Sequence, residues 1–402
     1  MLGCREECVG ALAATGHTIS VLYEPGHVNA VRAVAAHVVN AHVVGSYRSV
    51  DEVLAITLRH RLDRGADLVV TAHEFAVVTA SVIGASLGVS SLSPRVAVGC
   101  RDKFLQKSLW RASGIKTARV VELDPAGGGD GIEHQLREAG IAFPVVLKPR
   151  DSAGAMSVST AHNAHEVHAL MRDEPGLKAP LAEEFVAGPE WHFDGIAGPA
   201  GLVGFTVSRY GEPLLCTKAA RPVTSVTFAP DRNEDLYRQA RDFTSRALAA
   251  IGLDRGAFHL EVFGQPGAWT AGELACRPGG ALISMVNELV VGVDLWRAHV
   301  WSFTGDSFAT SRELSGRTYG YVHLPSVAGE PNRVTTAQVE ALPGVVHADV
   351  RVPVGAVMDD MSTSSLAGIG FAAVAADDEM SCWRALDEVA ATVLRHNTES
   401  VV

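Results

Sequence analysis

The sequence predicts an α/β protein with an α+β region at its C-terminal end, and three observations carry this prediction. Up to about Pro94, short apolar runs alternate with helical patterns, which is typical of a parallel sheet covered by helices. In the second half, two strand-like segments joined by the turn 264–267 predict an antiparallel sheet. From about Gly316 onward, short strands and a final helix, Ser381–His396, indicate a smaller α+β lobe. Because the chain has 402 residues, it is too long for one ordinary core, and we expect two or three domains.

Composition and charge restrict the classes of function. The formal net charge of -11 argues against nonspecific nucleic-acid binding, although it leaves room for a local phosphate site. The longest apolar stretch, Phe75–Val89, is too short and too polar to span a bilayer, and Met1–Gly10 lacks the apolar segment of a signal peptide. None of the cysteines forms a C-x-x-C pair, so we expect reduced thiols in a cytoplasmic protein. The cysteines are Cys4, Cys8, Cys100, Cys216, Cys276 and Cys382.

The N-terminal region is predicted to form the parallel sheet. Its first strand is nearly missing, because Gly3–Ala14 already has the pattern of a turn and a helix. Either the start codon is misassigned or the sheet lacks that strand. No G-x-G-x-x-G opens a helix here, so a dinucleotide fingerprint is absent. The predicted strands are Ile19–Leu22, Ala41–Val44 and Leu68–Thr71, and the predicted helices are Val50–Arg64 and Phe75–Leu87.

The central region alternates strands with helices and small loops. Pro125–Gly131 contains four glycines, but no Gly-Lys-Ser/Thr follows them, so we interpret it as an ordinary loop rather than a phosphate loop. The predicted strands are Thr117–Leu123, Val145–Lys148, Val158–Thr160, Leu181–Val186, Glu190–Ile196, Phe258–Phe263 and Trp269–Arg277. The predicted helices are Asp102–Ser113, His165–Met171, Leu236–Ile251 and Asn287–Phe303.

Two glutamates on neighbouring strands form the strongest candidate site. Side chains alternate faces along a strand, so Glu273 and Arg277 share one face, and His259 and Glu261 share one face of the partner strand. Antiparallel pairing can therefore bring Glu261 and Glu273 together. Two close carboxylates repel each other unless a cation lies between them, and Mg²⁺ bound to nucleotide phosphates is such a cation. The plainer interpretation is two solvated carboxylates and a surface salt bridge.

Two lysines and a loop of small residues strengthen the nucleotide interpretation. Lys148 ends an apolar strand and precedes the loop Ser152–Ser157, an arrangement that suits phosphate oxygens, although an ordinary hairpin would look similar. Lys103 is predicted at a helix N-terminus, where anions are favoured. Further along, the strand that contains Glu183 leads into a turn and a second acidic residue, Glu190, and such a strand can present backbone groups to an adenine edge.

The order of these features resembles the ATP-grasp superfamily, over roughly residues 65 to 300. It is nearest to the bacterial amino-acid ligases, which join a carboxylate to an amine. The segment Gly272–Gly280, with the sequence GELACRPGG, is similar to the metal-and-phosphate strand of those enzymes and the loop after it. The resemblance implies an N-terminal Rossmann-like parallel sheet, a small central nucleotide-lid subdomain and a C-terminal ATP-grasp lobe with an extra α+β element. The implied divisions are 1–95, 96–185, 186–310 and 311–402.

The resemblance also implies a role for each matching residue. ATP and Mg²⁺ are the implied cofactors. Phosphates would contact Lys103 and Lys148, under a lid that includes Ser152, Gly154 and Ser157. The remaining implied roles are Glu183 as acceptor from the adenine amino group, Phe185 and Val186 as backbone contacts, Glu190 near the ribose, Glu261 and Glu273 as metal ligands, Arg277 facing the γ-phosphate and the acyl phosphate, and Gly279 and Gly280 shaping the substrate pocket.

Three departures from the family pattern accompany this match. Ala275 replaces an Asn often found two residues after the second metal Glu, so the number of metal ions is open. The lid has a single glycine, Gly154, and the first strand of the N-terminal sheet is truncated. Specificity for the acid and the amine is expected from residues around Glu74, Gly279–Met285 and the C-terminal lobe.

The sequence thus predicts a ligase that forms an acyl phosphate and passes the acyl group to an amine. No G-x-S-x-G motif indicates a nucleophilic side chain, in agreement with this mechanism. Two alternatives stay open: a thiol or carrier-protein acceptor on the same fold, and a nucleotide-binding protein without catalysis, which the Ala275 departure motivates. We expect small-molecule carboxylate and amine partners, no nucleic acid and no membrane, and a homodimer is compatible with these expectations.

Overall fold

A computed structural model describes residues 1–124, 128–154, 156–177, 179–215, 221–306, 316–361 and 368–398. The N-terminal part holds two parallel strands with helices on both sides, as predicted. These elements are α1 (Glu6–Ala14), β1 (Ile19–Tyr23), α2 (Val28–Ala33), β2 (Val38–Val43), α3 (Val50–Arg59) and α4 (Val77–Leu87).

The strands that would complete this N-terminal sheet are reduced to isolated bridges. Leu2 bridges to Leu22, and its N–H donates to Val70 O at 3.1 Å, so a single residue takes the place of the first strand. The predicted strand Leu68–Thr71 is wrong as a full strand, because only Leu68 forms a bridge, to Ser90. The predicted helix Val50–Arg64 also ends early, at Arg59.

Two consecutive capped helices lead into the next subdomain. These are α5 (Pro94–Arg101) and α6 (Lys103–Ala112). Ser93 and Asp102 are their N-caps, and the Asp102 carboxylate accepts the N–H of Leu105 at 2.9 Å. Such a cap satisfies a backbone donor that the first helical turn leaves unpaired. Lys103 therefore lies at the N-terminus of a helix, as the sequence predicted, although the predicted helix began one residue earlier, at Asp102.

A four-stranded antiparallel sheet follows, in the order β3-β6-β4-β5. Its core is a separate apolar cluster in which Ile132, Leu147 and Val167 are fully buried. The glycine-rich stretch that we predicted as a loop begins a helix at Gly128, and residues 125–127 lie outside the described part of the chain. The elements are β3 (Val120–Glu122), α7 (Gly128–Glu138), β4 (Val145–Lys148), β5 (Ser159–Ala161), α8 (Ala164–Asp173) and β6 (Leu181–Glu184).

Within the described residues, the remaining strands form one eight-stranded sheet. The strands are β7 (Glu190–Gly198), β8 (Gly201–Tyr210), β9 (Thr224–Thr227), β10 (Gly256–Phe263), β11 (Thr270–Ala275), β12 (Thr318–Leu324), β13 (Val345–Val350) and β14 (Gly370–Ala376). Their order in the sheet is β11-β10-β7-β8-β9-β12-β14-β13. The helices are α9 (Glu234–Ile251), α10 (Ile283–Val291), α11 (Leu295–Thr304), α12 (Thr336–Glu340) and α13 (Glu379–Thr398).

The two faces of this sheet differ in chemistry near its β11 end. One face is apolar and packs against α9, with Phe193, Phe258 and Leu274 among its fully buried side chains. The other face carries the polar alternate residues of the same strands. This division follows from the period of two along each strand, and it places the candidate site residues together on the polar face.

Two elements near the C-terminal end differ from the prediction. The predicted helix Asn287–Phe303 is two helices, because Gly292 ends α10 at a φ of 74° and the side chain of Asp294 caps the start of α11. The C-terminal strands β12, β13 and β14 continue the large sheet instead of forming a sheet of their own. The four-part domain division itself stays a prediction. No helix among the described residues is long and apolar enough to cross a membrane.

Candidate active site

The paired carboxylates predicted from the sequence lie opposite each other. Glu261 on β10 is the register partner of Glu273 on β11, so both side chains emerge on the polar face. Their side chains are 23% and 26% exposed, so both are partly accessible to solvent. The register shifts directly after Glu261, between that residue and Val262. The predicted cross-strand pair is confirmed.

Lys103 partly neutralises this pair. Its Nζ lies 2.9 Å from Glu273 Oε1 and donates to Ser152 O at 2.7 Å. Burial alone would raise the pKa of Glu273, but Lys103 and Lys148 outweigh it and lower that pKa to about 2. Glu273 is therefore ionised at neutral pH, as a magnesium ligand must be. Lys103 thus contacts the carboxylate and the start of the small-residue loop, while its predicted contact with ATP phosphates stays a prediction.

A second cluster of charges lies around Glu183. Lys148 Nζ is 2.9 Å from Glu183 Oε1, and Lys107 Nζ is 3.3 Å from Oε2. Burial lowers the pKa of Lys107 to about 8 despite Glu183, whereas the pKa of Lys148 is raised because Glu183 and Glu273 overcome its burial. Sequence reasoning assigned Glu183 to the adenine amino group. Both of its oxygens face ammonium groups, and the assigned role stays a prediction.

Glu190 is a further buried carboxylate near Glu261. It is 5% exposed, and its Oε2 accepts the N–H of Leu214 at 2.8 Å. Burial, followed by repulsion from Glu261, raises the pKa of Glu190 to about 8. A carboxyl group in this state is predominantly protonated at neutral pH and can donate a hydrogen bond. Its predicted position near a ribose is untested.

Arg277 has a partner that the sequence did not predict. Its Nε donates to Glu74, and its Nη1 donates to Pro278 O at 2.7 Å. The other oxygen of Glu74 accepts from Arg101, and the two guanidinium groups overcome burial to lower the pKa of Glu74. We call Arg277, Glu74 and Arg101 the arginine clasp. Within the described part of the chain, Glu74 is the ion-pair partner of Arg277.

The small-residue loop is anchored at its beginning by three cations. Arg48 and Arg101 hold Asp151, the first through its carboxylate and the second through its carbonyl oxygen, while Lys103 holds the carbonyl oxygen of Ser152. Gly154 and Ser157 both adopt left-handed backbone conformations, at φ values of 64° and 54°. Ala155, inside the predicted lid, lies outside the described residues.

The residues predicted for the adenine edge and the substrate pocket lie in loops. Phe185 follows β6 and is 41% exposed, and Val186 comes next in the same loop. Gly279 and Gly280 precede α10. A Cβ added to Gly279 would lie 3.0 Å from His259 Nδ1, so this glycine allows close approach to the large sheet. Nothing in the structure tests the ligand roles of these four residues.

Sequence reasoning missed several buried charged residues here. Lys107 is 1% exposed, and Arg101 is 6% exposed. Also buried are His192 and Asp194, at 1% and 0% exposure. Side-chain alternation along the strand could have revealed Asp194, because Asp194 lies on the same strand face as Glu190. His259 and Glu261 share a strand face in the same way. For Lys107 and Arg101, which lie on helices, alternation gives no comparable signal.

The oxygen donors at the paired glutamates fit a hard divalent cation. Glu261 and Glu273 are adjacent and partly accessible, and Mg²⁺ typically takes one or two protein carboxylates plus substrate phosphates. Ala275 offers no third side-chain ligand, which leaves the remaining positions to phosphate or water.

Comparison with known proteins is consistent with this geometry. No protein-family model matches the sequence. The chain is 24% identical over 314 residues to an L-arginine-specific L-amino acid ligase from Bacillus subtilis, and the match spans 74% of this chain and 73% of that protein. An L-amino acid ligase from Bacillus licheniformis has the same fold, with a TM-score of 0.75, 16% identity and coverage of 96% and 95% of the two chains. A carboxyaminoimidazole ribonucleotide synthase from Aspergillus clavatus, solved with ATP, gives a TM-score of 0.71 at 17% identity and 98% coverage of both chains.

The chain has the fold of ATP-grasp ligases.

Proposed function

We propose that this protein is an ATP- and Mg²⁺-dependent carboxylate–amine ligase that acts on amino acids or related small acids through an acyl phosphate. The observation that carries the proposal is the cross-strand pair Glu261 and Glu273 with Lys103 and Lys148 beside it. The similarity to an L-arginine-specific L-amino acid ligase supports the substrate class.

The proposed reaction has two steps. A substrate carboxylate oxygen attacks the γ-phosphorus of ATP, the bond to the bridging oxygen breaks, and ADP leaves. An amine then attacks the acyl carbon, the C–N bond forms, and phosphate leaves as the amine loses a proton. Such reactions are accelerated mainly by positioning and charge neutralisation. When bound, Mg²⁺ neutralises phosphate charge and orients the phosphates.

The chain's own residues have distinct parts in this proposal. Glu261 and Glu273 hold the metal, and Lys103 and Lys148 supply positive charge to phosphate oxygens. Arg277 stabilises the transferring phosphoryl group. Within the described residues, Glu74 accepts from Nε of Arg277 and the carbonyl oxygen of Pro278 accepts from its Nη1. The third nitrogen, Nη2, can therefore donate to an oxygen of the ligand.

A phosphate-release assay over pairs of amino acids, with amine and thiol acceptors in separate arms, tests the proposal. We expect ATP-dependent phosphate release that requires both an acid and an amine, and a product containing a new amide bond. Release only with a thiol would assign the alternative acceptor. ATP binding with no ADP formed under any substrate set would favour the nucleotide-binding protein without catalysis.

The metal assignment has its own variant. Glu273→Gln removes one carboxylate charge from the proposed metal site, so we expect ATP turnover to be abolished while circular dichroism stays that of the folded protein. Glu166→Gln is the matched control, since Glu166 lies in the first turn of α8 and its carboxylate accepts the N–H of His162 at 2.8 Å. Turnover of Glu273→Gln near that of the parent would contradict the assignment.

A further inference from the structure

A line of polar side chains crosses the large sheet and ends at Glu261. The Ser225 hydroxyl donates to His192 Nε2 at 2.8 Å, and His192 Nδ1–H donates to Asp194 Oδ2 at 2.5 Å. The other oxygen, Asp194 Oδ1, accepts from His259 Nδ1–H at 2.8 Å. On the far side of its ring, His259 Nε2 lies 3.5 Å from Glu261 Oε1. We call these five residues the polar line.

The strand register explains why these residues meet. Asp194 on β7 is the partner of His259 on β10, and His192 is the partner of Glu261. Directly opposed residues of antiparallel strands point to the same face, so two alternate residues from each strand form a compact group of four. This arrangement is a property of two long paired strands and does not depend on a loop.

Burial of the ionised Asp194 carboxylate is energetically unfavourable unless both of its oxygens accept hydrogen bonds. Asp194 is not exposed at all, and each of its oxygens accepts a hydrogen bond from an imidazole. A buried, fully satisfied group of this kind is rigid. Gly279 packs directly against it, since a Cβ there would lie 3.1 Å from Asp194 Oδ1.

The side chains of His192, Asp194 and His259 are also close enough together to be considered as metal ligands. One ligand atom each from His192, Asp194 and His259 lie within 4.8 Å of one another. However, the nitrogen-to-oxygen separations of 2.5 Å and 2.8 Å are those of direct hydrogen bonds. The group is therefore already satisfied by its own contacts, and Asp194 acts on His259.

Glu261 lies next to an irregularity in the sheet, and its side chain has a contact of its own. The register between β10 and β11 shifts just beyond Glu261 and resumes where Val262 pairs with Ala271. Its partner Glu273 is held by Lys103 at 2.9 Å, and His259 is the corresponding contact for Glu261. Groups that contact metal ligands from outside fix their orientation, and their loss typically lowers metal affinity 10- to 100-fold.

We propose that Asp194 and His259 are positioning residues that hold Glu261 in the orientation in which it ligates the nucleotide-bound metal. The inference rests on the metal part of the proposed function. Asp194 fixes the imidazole ring of His259 through Nδ1, and His259 in turn fixes Glu261 through Nε2. In this role both residues act through Glu261 and not on the reacting atoms.

The test measures metal binding instead of turnover. Free Mn²⁺ is measured by electron paramagnetic resonance during titration of the full-length protein with Mn²⁺ in the presence of ADP. Asp194→Asn keeps the shape of the side chain and removes its charge, so Mn²⁺ affinity should fall about 10- to 100-fold. ADP binding in the presence of a chelator should stay unchanged. His259→Asn removes the contact to Glu261 directly and should give the same loss.

His299→Gln is the matched control. His299 is also a buried histidine between a strand and a helix, but it contacts Ala257 and Thr71, not Glu261. This variant should lower the melting temperature without changing Mn²⁺ affinity. The control separates a general loss of packing from a loss of metal orientation.

Three results would overturn the inference. Parental Mn²⁺ affinity in both Asp194→Asn and His259→Asn would make the polar line purely structural. A transition metal bound in the purified parent protein, and lost in Asp194→Asn, would make these residues ligands. Absence of ADP-dependent Mn²⁺ binding in the parent protein would remove the metal assignment itself, and the positioning role with it. If Asp194→Asn fails to fold, His259→Asn carries the test alone.

Discussion

Arg277 is the residue whose role depends most on the partner that the structure gives it. A planar guanidinium can hold Glu74 through one edge and present another nitrogen to a phosphoryl oxygen, which an ammonium cannot reproduce. Arg277→Lys should therefore lower turnover about 10²-fold or more while ATP affinity changes little. Turnover, ATP affinity and melting temperature are measured on one preparation.

The clasp provides the comparison for that variant. Arg101→Lys removes the other half of the same pairing with Glu74, so it tests the structural part of the clasp. If Arg277 acts only through Glu74, both variants should lose similar stability and similar turnover. A melting-temperature loss with normal turnover in Arg277→Lys would contradict its catalytic assignment.

His299 gives a pH-dependent stability that can be isolated. Its Nδ1 accepts the N–H of Ala257 at 3.0 Å and its Nε2–H donates to Thr71 O at 2.9 Å, so the fold requires the neutral ring. Burial lowers the pKa of His299 to about 4, against the opposing effect of the Thr71 contact. Between pH 6.5 and 4 the unfolded chain binds the extra proton and the folded chain does not. Stability from this group is therefore complete above pH 6.5 and is lost as pH falls to about 4, by roughly 3 kcal/mol in total.

His299→Gln should remove that contribution. Urea unfolding at several pH values measures the free energy of unfolding, and the variant should show a shallower fall than the parent between pH 6.5 and 4. The variant is expected to be less stable than the parent at pH 7. Equal slopes in the two proteins would show that His299 is not held neutral by the fold.

Site residues differed in how readily the sequence revealed them. The Glu261–Glu273 pair followed from side-chain alternation, because both residues lie on strands that are neighbours in the chain. The pairing of Arg277 with Glu74 did not, since these residues are 203 positions apart and meet only through the packing of separate subdomains. Pattern reasoning finds chemistry that is local or strand-paired, and it misses ion pairs between distant segments.

At the scale of elements, the small-residue loop is the part expected to respond to nucleotide. Among its described residues, the backbone hydrogen bond is that from Met156 N to Ala153 O, at 3.3 Å. Hydrogen exchange of the segment 152–157 should therefore be fast without ligand and slower with ATP and Mg²⁺. Equal protection in both states would contradict a lid.

The anchors of this loop allow a sharper version of the experiment. Arg48 pairs with Asp151, and both side chains are about half exposed, so removing the pair should cost little global stability. Arg48→Ala should speed exchange of the ligand-free loop while the melting temperature stays within about 1 °C of the parent. Unchanged exchange would mean that Arg101 and Lys103 suffice as anchors.

The boundaries of helices and strands were predicted well where a local residue signal marks them. The strand around Val145–Lys148 and the long helix ending at Gly252 were predicted closely, since a proline start and a glycine stop mark them. The division of the predicted helix Asn287–Phe303 was missed, although Gly292 and the capping Asp294 were its signals. The segment Leu68–Thr71 has the apolar pattern of a strand, but only tertiary pairing could decide that it forms a single bridge.

At the scale of the molecule, the C-terminal strands share both sheet and core with the strands of the candidate site. β12 pairs with β9 on one side and with β14 on the other. One apolar cluster beneath α10 combines Ile196 on β7 and Ala257 on β10 with Tyr319, Tyr321 and Phe371 from the C-terminal strands. Removing the C-terminal part would expose that cluster and leave β9 as an open edge, which is unfavourable. The C-terminal lobe should therefore not be stable independently.

Native-state hydrogen exchange under increasing denaturant tests this coupling. Amides of β14 and β10 should lose protection at the same denaturant concentration and with the same free energy, because a cooperative unit opens as a whole. Amides of β1 provide the comparison, since the N-terminal strands form a separate two-stranded sheet, with no requirement to open together with the large one.

The experiment needs no substitution, so the denaturant midpoint of unfolding is not shifted by a variant's own instability. Loss of protection in β14 well before β10 would mean that the C-terminal region unfolds by itself, despite its hydrogen bonds to β9. Coincident loss would mean that the strands carrying Glu261 and Glu273 depend on the C-terminal half of the same sheet for their stability.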